Sequence, residues 1–199
     1  MAKGPGGTRL IGPPMPKSYD YYTSERERLR TLENGIDYYN RNSGGFVIWQ
    51  EGHKHANEGR SNDEFKFAKE LARLGYGVYL LPEDLKNGGV SFKLSVKGEP
   101  TFPDAKVGTY YYEQTTKQSD NAKYGILSAL EHASDKGVSL AAIYDKQGVL
   151  SRQSIQKGID WYEHNRARSG SNLIKLKGVL VVNKKHELYW HDMETLNKW

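Results

Sequence analysis

The sequence predicts an α/β fold, a mixed β-sheet flanked by helices, and three observations lead there. Helix-length stretches with apolar residues at three- and four-residue spacing alternate along the chain with short apolar runs of strand length. Turn formers, mostly glycine and proline, separate the two kinds of segment. A content of 37% hydrophobic and 12% aromatic residues over 199 positions is enough to build a core, which excludes a wholly disordered chain.

Residues 1–20, with Gly4-Pro5-Gly6-Gly7, Gly12-Pro13-Pro14 and Pro16, read as a flexible leader. Residues 21–199 read as a single domain with a helical start over 23–42 and a core over about 44–190. Ser24 with Glu27 three residues on is a capping-box signature, and Leu29, Leu32, Ile36 and Tyr39 follow at helical spacing. The first helix is therefore expected from about Ser24 to Asn40. After Ser43-Gly44-Gly45, the run Phe46-Val47-Ile48-Trp49 reads as a buried strand leading into a polar loop with His53 and His55.

A second helix is expected from Ser61 to Gly75, with Phe65, Ala68, Leu71, Ala72 and Leu74 on its apolar side and Ser61 and Glu64 at capping-box spacing. Strands follow at Tyr76–Leu81 and, after the Asn87-Gly88-Gly89 turn, at Val90–Val96. Gly108-Thr109 fits a two-residue type II′ turn with a strand on each side. A helix over Asn121–Lys136, a strand over Val138–Tyr144 and a helix from Ser151 to about Arg168 come next. A hairpin of Leu173–Asn183 and Glu187–Trp190 around Lys184-Lys185 ends the series.

Composition removes several function classes. There is no cysteine, so disulfide frameworks and thiolate zinc sites are out. No run approaches the ~20 apolar residues that span a bilayer. Met1 to Lys17 carries glycine and proline where a signal peptide would be apolar, so no export signal is read. P-loop, Rossmann and nucleophile-elbow patterns are missing. The net charge of +5, with a pI of about 9.1, favours a polyanionic partner such as nucleic acid.

The chemistry is expected on the predicted hairpin. If Gly108-Thr109 sets the register, Val107 pairs with Tyr110, Lys106 with Tyr111, Ala105 with Tyr112 and Asp104 with Glu113. Residues directly opposed share a face, with Cβ atoms about 5 Å apart. Two carboxylates so placed repel, and a divalent cation, Mg²⁺ or Mn²⁺, turns that repulsion into binding. Thr115 and Lys117 alternate onto the side of Glu113, adding a hydroxyl and an ammonium able to stabilise a phosphodiester transition state. The same spacing also fits solvent-facing polar residues on an exposed hairpin.

From Gly44 to Trp190 the chain resembles the C-terminal nuclease domains of contact-dependent growth inhibition (CDI) toxins and related polymorphic toxins. The similar features occur in order. They are the Gly44-Gly45-Phe46-Val47 strand, the histidine loop, Glu64 early in a helix, Ala68, Leu71-Ala72, Gly75-Tyr76 and Val78, then Leu80-Leu81-Pro82, Pro103-Asp104-Ala105 and the strand acid Glu113. The resemblance implies a restriction-endonuclease-like fold with a PD-(D/E)XK metal-dependent site that cleaves RNA, mostly tRNA. It implies catalytic roles for Glu64, Asp104 and Glu113, action in the cytoplasm of the producing or target cell, and an acidic cognate immunity protein as partner. Where that pattern has lysine two residues after the strand acid, this chain has Thr115, and Lys117 lies about 7 Å further along the same face.

Other readings stay open. His53 and His55, near Glu51 and Glu58, lack a third ligand for zinc, but either could be the general base of a metal-free ribonuclease of the barnase-like or EndoU-like kind. Arg152, Lys184 and Lys185 are candidates for contact with a nucleic-acid backbone, and Arg152, Lys157, Arg166 and Arg168 put positive charge along one helix. A non-catalytic nucleic-acid-binding or structural module of a phage or mobile element, keeping the nuclease fold without turnover, is the alternative suggested by Thr115.

Overall fold

Leu140–Asp145 and Gly178–Asn183 carry apolar residues at almost every position, the mark of strands covered on both faces, and each lies inside the sheet with a strand on either side. The computed structural model describes residues 37–40, 42–53, 62–108, 110–116 and 122–193, the side chains at 122 and 123 excepted. Among these residues the main sheet has eight strands. They are β1 (Tyr38–Tyr39), β2 (Phe46–Trp49), β3 (Gly77–Leu80), β6 (Ala105–Val107), β7 (Tyr110–Thr116), β8 (Leu140–Asp145), β9 (Gly178–Asn183) and β10 (Leu188–Asp192), side by side in that order. β4 (Lys93–Leu94) and β5 (Pro100–Thr101) form a separate antiparallel pair.

β2 runs parallel to β3, and β7, β8 and β9 are mutually parallel. Two antiparallel steps, β3 to β6 and β6 to β7, restore the original direction. The carboxyl ends of β2, β3, β7, β8 and β9 therefore lie along one edge, where open α/β sheets place their ligands. The fold is mixed α/β, as the alternation of segments predicts.

Side chains alternate across β8, so each face has its own core. Leu140, Ala142 and Tyr144 join Val78, Leu80 and Tyr112 beneath α1 (Asp63–Arg73), which contributes Phe65, Phe67, Ala68 and Leu71. Ala141 and Ile143 join Val179 and Val181 beneath α2 (Ala122–Lys136) and α3 (Arg152–Arg166), through Ile126, Leu130, Ile155 and Tyr162. Gly158 lets the last two helices close on each other, because a Cβ there would meet the Ile126 side chain.

Several expectations need correction. Tyr38 and Tyr39 are a strand paired antiparallel with Val47 and Phe46, where a helix was expected to run to Asn40. Asn40 folds the chain back: its side-chain oxygen accepts from the N–H of Asn42 and Ser43, and its own N–H donates to Gly45. A tight local turn beside an open sheet edge overrides helical spacing. The cap of α1 is Asn62, which accepts from the Glu64 and Phe65 N–H groups. Of Val90–Val96 only Lys93–Leu94 is strand. The leader, residues 24–36 of the expected first helix, Ser61, His55, Thr109 and Lys117 lie outside the described residues.

Candidate active site

The hairpin is in the register that its turn implies: Ala105 opposes Tyr112, Lys106 opposes Tyr111 and Val107 opposes Tyr110. Gly108 takes a φ of 58°, the left-handed conformation a primed turn needs at its first position. β6 ends there, while β7 continues along β8 to Thr116. One side of β7 is thus left without a neighbouring strand beyond Tyr112. Asp104 fills the notch, its Oδ2 accepting from the Gln114 N–H at 2.7 Å. Its own carbonyl accepts from the Leu81 N–H at 2.9 Å, which extends the β3–β6 pairing by one residue.

Asp104 and Glu113 are buried, at 7% and 8% exposure. Burial, and then the charge of Glu64, push the Asp104 carboxyl well above its ordinary range, against the bond from Gln114. Burial pushes Glu113 up too, and the neighbouring Asp104 adds to it. Lys136, the last residue of α2, offsets this in part with its Nζ 3.8 Å from Glu113 Oε1. Among the described residues, Glu113 Oε2 is buried and has no hydrogen-bond partner. The Tyr112 hydroxyl beside this acidic cluster is likewise buried and unpartnered, its titration raised by burial and by the charges of Asp104 and Glu64.

Glu64 arrives from the first turn of α1, fixed by the Asn62 cap. Its Oε2 lies 2.8 Å from His53 Nε2, and His53 Nδ1 lies 2.8 Å from the Leu81 carbonyl. Both neighbours are acceptors, so the imidazole is held as a donor from both nitrogens. Burial alone would lower its titration, but the bonds to Glu64 and Leu81 outweigh that and raise it. Trp49 sets an edge-to-face ring at 5.3 Å against His53 and stacks on Phe65. His53, one of two polar-loop histidines considered as a general base, is a buried group with a fully covered side chain.

The fold thus brings Glu64, Asp104 and Glu113 within electrostatic reach of one another. Thr115 is half-buried further along β7, level with Ile143. Arg152 is exposed at the start of α3, where burial and then its charge lower His191 to about 4. Lys184 and Lys185 are exposed on the β9–β10 turn. Sequence reasoning missed Lys136 and Tyr112. The Lys136-Gly137 helix end is legible, Gly137 taking a φ of 72°, but nothing in the sequence says where that end points.

Among the described residues, no group of three or more histidine, aspartate or glutamate side chains converges closely enough to hold a metal ion by itself. The donor set nonetheless fits Mg²⁺, which keeps several waters and uses one or two carboxylates together with substrate phosphate. Asp104 and Glu113 are two buried carboxyls that repel each other, and one oxygen, Glu113 Oε2, lacks a partner. A divalent cation would relieve both defects.

No protein-family model matches the chain, and a search of curated proteins finds no match. Among solved structures, the chain is similar to one from a CdiA-CT/CdiI toxin and immunity complex from Burkholderia pseudomallei. The identity is 19% and the TM-score 0.47, over 65% of this chain and 81% of that one. A likeness of that size carries no argument about chemistry, which rests on the residues themselves.

Proposed function

We propose that the protein is a divalent-metal-dependent nuclease that hydrolyses phosphodiester bonds in RNA. One observation carries the reading: Asp104 and Glu113 are buried side by side at the carboxyl edge of the sheet, each pushed toward its neutral form, with an unpartnered oxygen between helix and strand. Asp104 accepts from the Gln114 N–H and Lys136 faces Glu113 Oε1, but among the described residues Glu113 Oε2 is buried without a partner, and such a group destabilises a fold unless a ligand satisfies it.

Asp104 and Glu113 would hold Mg²⁺ or Mn²⁺, and the cation, when bound, supplies charge stabilisation to a phosphodiester transition state. Glu64, oriented by His53, would accept a hydrogen bond from the entering water. Hydrolysis forms a bond from that water's oxygen to phosphorus and breaks one phosphorus–oxygen bond, the leaving oxygen taking a proton. Lys136, with its Nζ 3.8 Å from Glu113 Oε1, would take the part of the lysine of the PD-(D/E)XK pattern, delivered from a helix to a strand that has Thr115 at the usual position. Its ammonium can donate to a non-bridging phosphate oxygen. His53 is a positioning residue in this scheme, because both its nitrogens are engaged.

RNA, and tRNA in particular, follows from the sequence resemblance to CDI toxin domains, as does a toxin role with an acidic immunity protein covering the cationic surface. Incubation with total tRNA tests the reading. Discrete fragments that need Mg²⁺ and disappear in Asp104→Ala are expected. RNA affinity that persists in EDTA, with no product under any condition, would support the binding-module reading that Thr115 suggests. Cleavage of DNA but not RNA would move the substrate while keeping the site.

A further inference from the structure

Lys66, Lys69, Glu70 and Arg73 fall at i, i+3, i+4 and i+7 of α1, which puts them on one face of the helix. That face is one wall of a groove of about 710 Å³. Lys146, just after β8, and His186, on the β9–β10 turn, come from across it, and Tyr38 and Tyr144 also line it. His186 takes a left-handed φ of 61°, unusual for a residue with a side chain, and its Nδ1 reaches Glu70 Oε1 at 3.0 Å. The turn is thus tied to the helix, and the groove is a built feature of the fold.

Its charge is cationic in excess. Asp63 sits 2.6 Å from Lys146 and 3.7 Å from Lys66, and Glu70 sits 3.3 Å from Arg73. Two acids so placed hold Lys66, Arg73 and Lys146 in position without cancelling the charge of these three and Lys69 together. The cations are interleaved with aromatic faces, Lys69 lying 4.9 Å over the Tyr38 ring and Lys146 5.9 Å over the Tyr144 ring. Cations for phosphates and a ring for a base are the two elements of single-strand recognition, and the half-buried Tyr38 supplies the ring, Tyr144 being buried in the core.

The groove is also joined to the acidic site. Lys146 pairs with Asp63, and Thr116 Oγ1 donates to Asp63 at 3.1 Å. Gln114 Nε2 donates to Thr116 at 3.2 Å, and the Gln114 N–H donates to Asp104. From Lys66 to Arg73 the helix rises about 10 Å, the span of about three stacked nucleotides. We propose that this groove binds a single-stranded segment of the nucleic-acid substrate beside the bond that is cut, a proposal that rests on the nuclease reading. An acidic protein would meet the cations, but it would leave the Tyr38 ring and the continuity with Asp104 unexplained.

The test is binding of a fluorescent single-stranded RNA to the full chain in EDTA, read as a function of salt, so that affinity is seen whether or not anything is cut. The Lys66→Ala/Lys69→Ala/Arg73→Ala variant is expected to bind at least about tenfold more weakly, and its log–log salt slope is expected to be shallower by about 2. In Mg²⁺ its loss of kcat/KM should fall on KM. A matched loss of charge away from the groove, at the exposed Lys86→Ala/Lys97→Ala/Lys175→Ala, should leave affinity at the parent level. Equal affinity and slope in the groove variant and the parent would overturn the proposal and leave the nuclease reading standing. Polyglutamate of matched charge competing as well as RNA would overturn it too, marking a surface for acidic protein. Groove-dependent binding by a protein that cuts no nucleic acid would sustain the groove and sink the nuclease.

Discussion

Asp104 and Glu113 oppose the fold they belong to, and that opposition is measurable. Both titrate higher in the folded chain than their ordinary values of 3.8 and 4.5. A raised folded value means that the folded state binds more protons, so this contribution is fully present below the ordinary values and is lost as pH rises through the folded ones. Without metal, stability should therefore fall from mildly acidic to alkaline pH. His53, also raised, acts in the same direction above 6.5. His191, lowered to about 4, has the opposite sign: its contribution is present above 6.5 and is lost as pH falls toward 4. Asp104→Asn removes one charge of the repelling pair, so in EDTA at about pH 8 it should melt at a higher temperature than the parent, while its cleavage rate falls by about 10²–10³. A lower melting temperature would show that Asp104 is a structural acid. Lys136→Ala should slow cleavage about 10²-fold, with Lys136→Arg restoring part of the rate; unchanged rates in both would remove Lys136 from the chemistry.

Elements, rather than single residues, decide whether these groups meet. The pairing of Ala105 with Tyr112 was legible because one glycine turn sets the register of a short hairpin; strand pairing stops there, and Asp104, expected opposite Glu113, reaches β7 through its side chain at the Gln114 N–H. The helix expected to reach Asn40 was misread because Tyr38 and Tyr39 suit a sheet edge as well as a helix face, and tertiary pairing with β2 decided between them. Lys136 was not legible, since its approach to Glu113 depends on how α2 packs on β7. The start of α1 is a direct test of this level. Asn62→Ala should cost about 1 kcal/mol, seen as a lower urea midpoint, and should weaken cleavage by loosening the turn that carries Glu64. Gly178→Ala probes the packing between β9 and β10, where the Trp190 ring occupies the space a Cβ would need. A loss of about 1–3 kcal/mol is expected, with the pH dependence unchanged; a neutral effect would mean that Trp190 can move aside freely.

At the scale of the whole molecule, the sheet order was the part least available to sequence reasoning. Nothing in the chain announces that β6 is inserted antiparallel between β3 and β7, yet that insertion makes the notch in which Asp104 sits. The groove beside it is assembled from α1, the end of β8 and the β9–β10 turn, far apart in sequence. Lys184 and Lys185 were picked out on that turn, whereas the groove is lined by His186. The central claim is that the buried pair is a metal site, and binding of Mn²⁺ measured by calorimetry in two buffers of different ionisation enthalpy tests it most directly. The account predicts one site in the parent, lost in both Asp104→Asn and Glu113→Gln, with proton release near neutral pH because the cation displaces what the raised carboxyls hold. Mn²⁺ binding that survives both substitutions, or no binding by a folded parent, would contradict it.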